Sequence, residues 1–152
     1  MVIKTKFKVA EVEISYKPNY KVSERPQISS SNDADEMLIE QWNSGRIELL
    51  EEFKILLLNR RNRLLGIVDI SQGGLNSTFA DRRVIFAAAL KSCASGVILV
   101  HNHPSGELNP SIEDIALTKK IKAGAELLDL KVLDHLIISK DRFYSFADEG
   151  LL

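Results

Sequence analysis

The sequence predicts an α/β (or α+β) domain in which a mixed β-sheet lies between helices. Three observations carry this reading. Apolar runs of strand length alternate with stretches of helical spacing, without repeats or low-complexity tracts. The run Val97 to Val100 is continuously apolar, the mark of a strand buried on both faces. The composition, 45% hydrophobic and 27% charged over 152 residues, is that of one globular domain rather than a disordered chain.

The elements follow in order. Residues 2 to 16 alternate like a strand, with Ile3, Thr5, Phe7 and Val9 on one face; the phase then slips to Val12, Ile14 and Tyr16, which predicts a bulge near Ala10-Glu11. Residues 17 to 32, with Pro18, Pro26 and the Ser29-Ser30-Ser31 run, read as a linker or draped arm. Ser31 or Asp33 is expected to cap a helix reaching about Asn43, with Trp42 as a core anchor. Phe53 to Leu58 and Arg63 to Ile70 flank the polar turn Asn59-Arg60-Arg61-Asn62 and predict a hairpin with a small basic tip. Gly73-Gly74 marks a loop, and a helix from Arg82 to Cys93 is ended by Gly96. After the buried strand and a polar loop from His101 to Pro110, Ser111 opens a helix to about Leu130. Val132 to Ile138 and Phe143 to Phe146 are the last strands.

Several functional classes are excluded or weakened at once. No apolar run is long enough to cross a bilayer, and Lys4, Lys6 and Lys8 interrupt the residues where a secretory signal would sit. The single cysteine, Cys93, rules out an intramolecular disulfide and fits a reducing, cytoplasmic setting; at an apolar helix end it reads as a buried small residue rather than a nucleophile. A net charge of −1 removes the simplest argument for nucleic acid as a partner.

The chemistry gathers in His101-Asn102-His103-Pro104-Ser105-Gly106, followed by Ser111 and Asp114. On extended backbone, residues two apart point the same way, so both imidazoles can reach one point. Pro104 and Gly106 turn the chain, and the helix opened by Ser111 can bring Asp114 back to that point. Ser111 and Asp114 also match a capping box, in which the serine caps the helix and the acid reaches back. Two imidazoles and a carboxylate are ligands that zinc accepts, and three protein ligands leave a fourth position for water. A hydrolytic site also needs a proton carrier, for which Glu51, Glu52, Glu107 and Glu113 are the candidates. Strand alternation sends Glu51 and Glu52 to opposite sides without saying which side faces the metal. His135, beside Asp134, reads as structural, with a supporting place behind the metal ligands as the alternative.

His101-x-His103, seven residues, Ser111, two residues, Asp114 resembles the JAMM (MPN-plus) metallopeptidase motif, and His-Asn-His-Pro-Ser-Gly with Pro110-Ser111 is similar to its RadC-like branch. Further matches are Glu51-x-Phe53, Asn62-Arg63, Gly74-Leu75-Asn76, Leu133-Asp134-His135 and Ser145-Phe146-Ala147. The resemblance covers residues 48 to 152 as a JAB/MPN domain, leaving 1 to 47 as an N-terminal strand-like arm, linker and helix. It implies a mixed sheet flanked by helices, as in the zinc cytidine deaminases. It also implies Zn2+ on His101, His103 and Asp114, Glu51 as general acid/base, and Ser111 as an oxyanion stabiliser. The implied activity is hydrolysis of a peptide or isopeptide-linked protein substrate. The alternative is a non-catalytic interaction module of the same fold in a DNA-repair or other nucleic-acid pathway; the helix-hairpin-helix pattern of longer RadC-like proteins is not found in residues 1 to 47. A zinc deaminase fails on ligands, because the P-C-x-x-C element it needs has no counterpart in a chain with one cysteine.

Overall fold

The two apolar runs around Asn59–Asn62 form an antiparallel hairpin, β1 (Glu52–Leu58) and β2 (Leu64–Gln72). The Asn59 side chain shapes its turn by accepting from the Arg61 and Arg63 amides at 2.9 and 3.0 Å, and Asn62 takes the left-handed conformation at φ 56°. The computed structural model describes residues 7–73 and 80–152. Ile3 and Thr5 of the expected first strand, Gly74 of the expected loop and the Gly74-Leu75-Asn76 match lie outside them.

Beyond the hairpin come helix α2 (Arg82–Lys91), strand β3 (Gly96–Asn102), helix α3 (Ile112–Leu127), and strands β4 (Lys131–Ile138) and β5 (Phe143–Ser145). The five strands form one sheet in the order β2-β1-β3-β4-β5, parallel only between β3 and β4. That pair is joined through α3, the crossover helix a parallel connection requires. The architecture is therefore the expected mixed sheet with helices, of JAB/MPN type. Strand alternation builds two apolar layers. Phe53, Ile55, Leu57, Val97 and Leu99 meet Ile85 and Ala89 of α2 and Ile121 and Ala125 of α3. Leu56, Leu58, Ile98, Val100, Leu136 and Ile138 meet Ala34, Leu38 and Trp42 of helix α1 (Ser31–Gln41) and its C-cap. Every residue of β3 is buried, at about 1.5–3 kcal/mol for each large aliphatic side chain, so the strand that ends in His101 and Asn102 is firmly anchored.

The structure corrects several expectations. Residues 7–16 belong to no strand: Val12 is 87% and Val9 85% exposed. Alternation describes a half-buried strand, but without a ladder partner it has nothing to bury against, and the expected bulge near Ala10-Glu11 has no strand to interrupt. The draped arm is present instead. The Tyr16 and Tyr20 hydroxyls donate to the Leu65 carbonyl, Leu64 N–H donates to the Pro26 carbonyl, and Ile28 N–H to the Asn62 carbonyl. The Arg63 guanidinium of the basic tip is committed to the Arg25 carbonyl at 2.9 Å. The cap of α1 is Ser30 rather than Ser31 or Asp33; Asp33 closes the box by accepting from Ser30 N–H at 3.0 Å. Helix α2 stops at Lys91, before Gly96, which is the first residue of β3. Cys93 is exposed, because the chain leaves α2 there in a left-handed turn at φ 53°. No helix among the described residues is long and apolar enough to cross a membrane.

Candidate metal centre

Three chain segments meet at the carboxyl end of β3, where open α/β sheets place their ligand sites. His101 pairs with Phe53 across the β3–β1 ladder, and the two rings stack at 5.8 Å with planes 5° apart. His103 lies one residue beyond β3, yet its amide still donates to the Ile138 carbonyl at 3.1 Å, so the extended geometry persists. The two imidazoles accordingly converge, Nε2 to Nε2, at 3.0 Å.

The loop that follows orients His103. Gly106, at φ 80°, donates its amide to the His103 carbonyl and turns the chain back. The Glu107 carbonyl thereby reaches His103 Nδ1 at 2.5 Å. A carbonyl only accepts, so Nδ1 carries a proton and the ring turns its Nε2 toward His101.

Asp114 serves two purposes at once. Its Oδ2 accepts from Ser111 N–H at 2.8 Å while Ser111 Oγ accepts from Asp114 N–H at 3.0 Å, a complete capping box. The same carboxylate lies 3.3 Å from His101 Nε2 and 3.5 Å from His103 Nε2. The positive end of the α3 dipole favours its charge. Burial raises the pKa of Asp114, but its contacts with the His101 and His103 imidazoles prevail and hold it well below the usual carboxylate range. Burial likewise opposes a charged His103, yet Asp114 and the Glu107 carbonyl outweigh it and raise its pKa. The pocket thus draws positive charge to the face shared by the imidazoles and the acid.

The β1 register separates the two adjacent glutamates. Glu51 lies on the Phe53 side, its side chain 12% exposed and its Oε1 3.9 Å from His101 Nε2. Glu52 faces the other layer, 3.3 Å from Lys54 Nζ, whose ammonium sits over Trp42. Of the other candidates, Glu107 accepts from Asn109 N–H at 3.3 Å and Glu113 is exposed on the first turn of α3. One ligand atom each from Glu51, His101 and His103 lies within 4.8 Å of the others, a cluster that can hold a metal ion, with Asp114 on the same two nitrogens. Ser111 is exposed at the head of α3.

Three further residues shape the site. Asn102 points away from the histidines. It accepts from Glu52 N–H at 2.7 Å and donates to the Ile47 and Leu50 carbonyls at 2.7 and 2.8 Å, tying down the segment that delivers Glu51. His135 is more than structural packing, because its Nε2 lies 2.8 Å from His101 Nδ1. Thr118 touches His135 Nδ1 at 2.6 Å; it sits one helical turn after Asp114, the only signal in the sequence that could have marked it. Beside His103, Ile47, Glu48, Lys140 and Arg142 line a cleft of about 370 Å³.

Fold and site together define a mixed-sheet α+β domain with an imidazole–carboxylate centre at the end of a central strand. The RadC-like JAB domain profile matches residues 28–151, and the chain belongs to that family. It is 52% identical over 101 residues to a "UPF0758 protein" of Flavobacterium johnsoniae, covering 66% of this chain and 44% of the relative. A "UPF0758 protein" of Porphyromonas gingivalis is 47% identical over 103 residues, covering 67% and 45%. One of Desulfitobacterium hafniense is 38% identical over 128 residues, covering 84% and 55%. The chain thus spans about half the length of the curated relatives it matches.

Proposed function

We propose that this protein is a zinc-dependent hydrolase that cleaves peptide or isopeptide bonds in the cytoplasm. The observation that carries the reading is the convergence of His101 and His103 with two carboxylates held in different ways. Asp114 is locked by a capping box and touches both imidazoles, which suits a ligand. Glu51 stands a little further off, on a strand start, which suits a proton carrier. The donor set fits the metal: imidazole and carboxylate are zinc ligands, and Zn–N lengths of about 2.0–2.1 Å let two nitrogens 3.0 Å apart share one ion. Bound by His101, His103 and Asp114, zinc supplies a Lewis acid and a water of lowered pKa.

The chain's own residues do the rest. Glu51 takes a proton at its carboxylate and returns it to the leaving nitrogen, while Phe53 packs against His101 and keeps the ligand ring from turning. Ser111 Oγ accepts the Asp114 amide, which leaves its own proton available to donate to an oxyanion forming on the scissile carbonyl.

The test is digestion of a mixed peptide and isopeptide library by the zinc-loaded full chain, read by mass spectrometry. Cleavage that disappears with a chelator and in Glu51→Gln supports the proposal. A library left intact by the loaded wild-type protein, or cut equally by Glu51→Gln, overturns it.

A further inference from the structure

Behind the pair of imidazoles runs a short chain of hydrogen bonds: Asp114 carbonyl, Thr118 Oγ1, His135 Nδ1, His135 Nε2, His101 Nδ1. The proton on each link follows from counting donors. The Asp114 carbonyl can only accept, and Thr118 Oγ1 lies 2.7 Å from it, so the single hydroxyl proton goes there. The 2.6 Å contact from Thr118 Oγ1 to His135 Nδ1 then requires the proton on Nδ1. His135 is 0% exposed, set between Phe53 and Phe146, and its two ring nitrogens meet Thr118 and His101 rather than a carboxylate, a poor place for an imidazolium. Its Nε2 is therefore a lone pair, and the 2.8 Å contact must be donated by His101 Nδ1.

We infer that Thr118 and His135 are positioning residues that fix His101 as the Nδ1–H tautomer, so that its Nε2 lone pair is held ready for a metal ion. The inference rests on the proposed metal centre and deepens it. The two ligand histidines are set by different devices, His103 by a loop carbonyl and His101 by a buried relay that starts on the helix carrying Asp114. Bonding the far nitrogen of a ligand imidazole fixes its tautomer and ring orientation, and losing such a partner typically costs 10- to 100-fold in metal affinity.

Zinc affinity by chelator competition is measured for the full-length wild type, Thr118→Val, His135→Phe and His135→Gln. Nitrogen-15 NMR of the histidines at pH 8, with and without zinc, reads the tautomers. Phe keeps a ring between Phe53 and Phe146 but accepts nothing; Gln offers an amide oxygen near the place of Nε2. The expected result is a 10- to 100-fold loss in His135→Phe, a smaller loss in Thr118→Val, and recovery to within a few-fold of wild type in His135→Gln. His101 is expected to be protonated at Nδ1 even before zinc is added. Should His135→Phe fail to fold, Thr118→Val and the wild-type tautomer decide the matter. Unchanged affinity in the folded variants, a Gln variant as weak as Phe, or a metal-free His101 protonated at Nε2 would overturn the inference. A wild type that binds no zinc yet shows the Nδ1–H tautomer removes the metal reading and leaves the relay standing.

Discussion

Glu51 and Glu52 are neighbours with opposite surroundings, and they give the sharpest test at the scale of single residues. Glu51→Gln keeps shape and hydrogen bonding but cannot take a proton; zinc content should hold while hydrolysis falls by about 10²-fold or more. Glu52→Gln, on the far side of the strand beside Lys54, should retain activity. Kinetics of the two variants on one cleavable peptide check this, and the reverse order would place the proton carrier on the wrong face of β1. Asp114→Asn separates the two duties of that carboxylate: a weakened cap costs about 1 kcal/mol, whereas metal affinity should fall far more, which paired thermal melts and zinc titrations will read. At this scale much was legible in the sequence. His101 and His103 follow from the two-residue period of extended chain, and Asp114 from the capping pattern that places it in a first helical turn. Glu51 could not be separated from Glu52 by periodicity alone; the ladder pairing Phe53 with His101 does that. His135 was visible only as a residue, because its contact with His101 spans 34 positions and depends on β3 and β4 pairing in parallel.

Among the elements, the order of strands and helices after residue 30 could be read from apolar period and turn residues. The N-terminal strand could not, because alternation states which face would be buried but not whether a partner exists. Residues 7–16 carry the pattern and remain exposed. The cap of α1 fell on Ser30 rather than Ser31 or Asp33 for a related reason: three consecutive serines offer equivalent hydroxyls, and only the position of Asp33 selects Ser30. Asn102 shows how one side chain joins elements. Removing its amide leaves the Glu52 N–H and the Ile47 and Leu50 carbonyls without their partner in a largely buried place. Asn102→Ala should therefore destabilise the fold by about 2–4 kcal/mol in urea unfolding, from one to three kcal/mol per stranded buried group with partial relaxation. A loss below about 0.5 kcal/mol would mean that the 47–51 segment is held by its own packing.

For the molecule as a whole, charge and site bear on the choice between enzyme and nucleic-acid module. The net charge is −1, and of the basic tip only Arg60 and Arg61 stay exposed while Arg63 is tied to the arm. Binding to duplex DNA should be no tighter than the non-specific range, about 10⁻⁴ to 10⁻⁶ M at physiological salt. A fluorescence-anisotropy titration reads it, and nanomolar binding weakened by replacing Arg60 and Arg61 with Ala would favour the module. Two imidazoles and two carboxylates nevertheless meet at one centre between β3, α3 and the start of β1. The most direct measurement is metal content of the purified full chain by elemental analysis, for wild type and for a His101→Ala/His103→Ala double variant. About one zinc per chain is expected in the wild type and almost none in the double variant. Equal zinc in both proteins, or none in either after reconstitution, would contradict a metal centre at His101, His103 and Asp114.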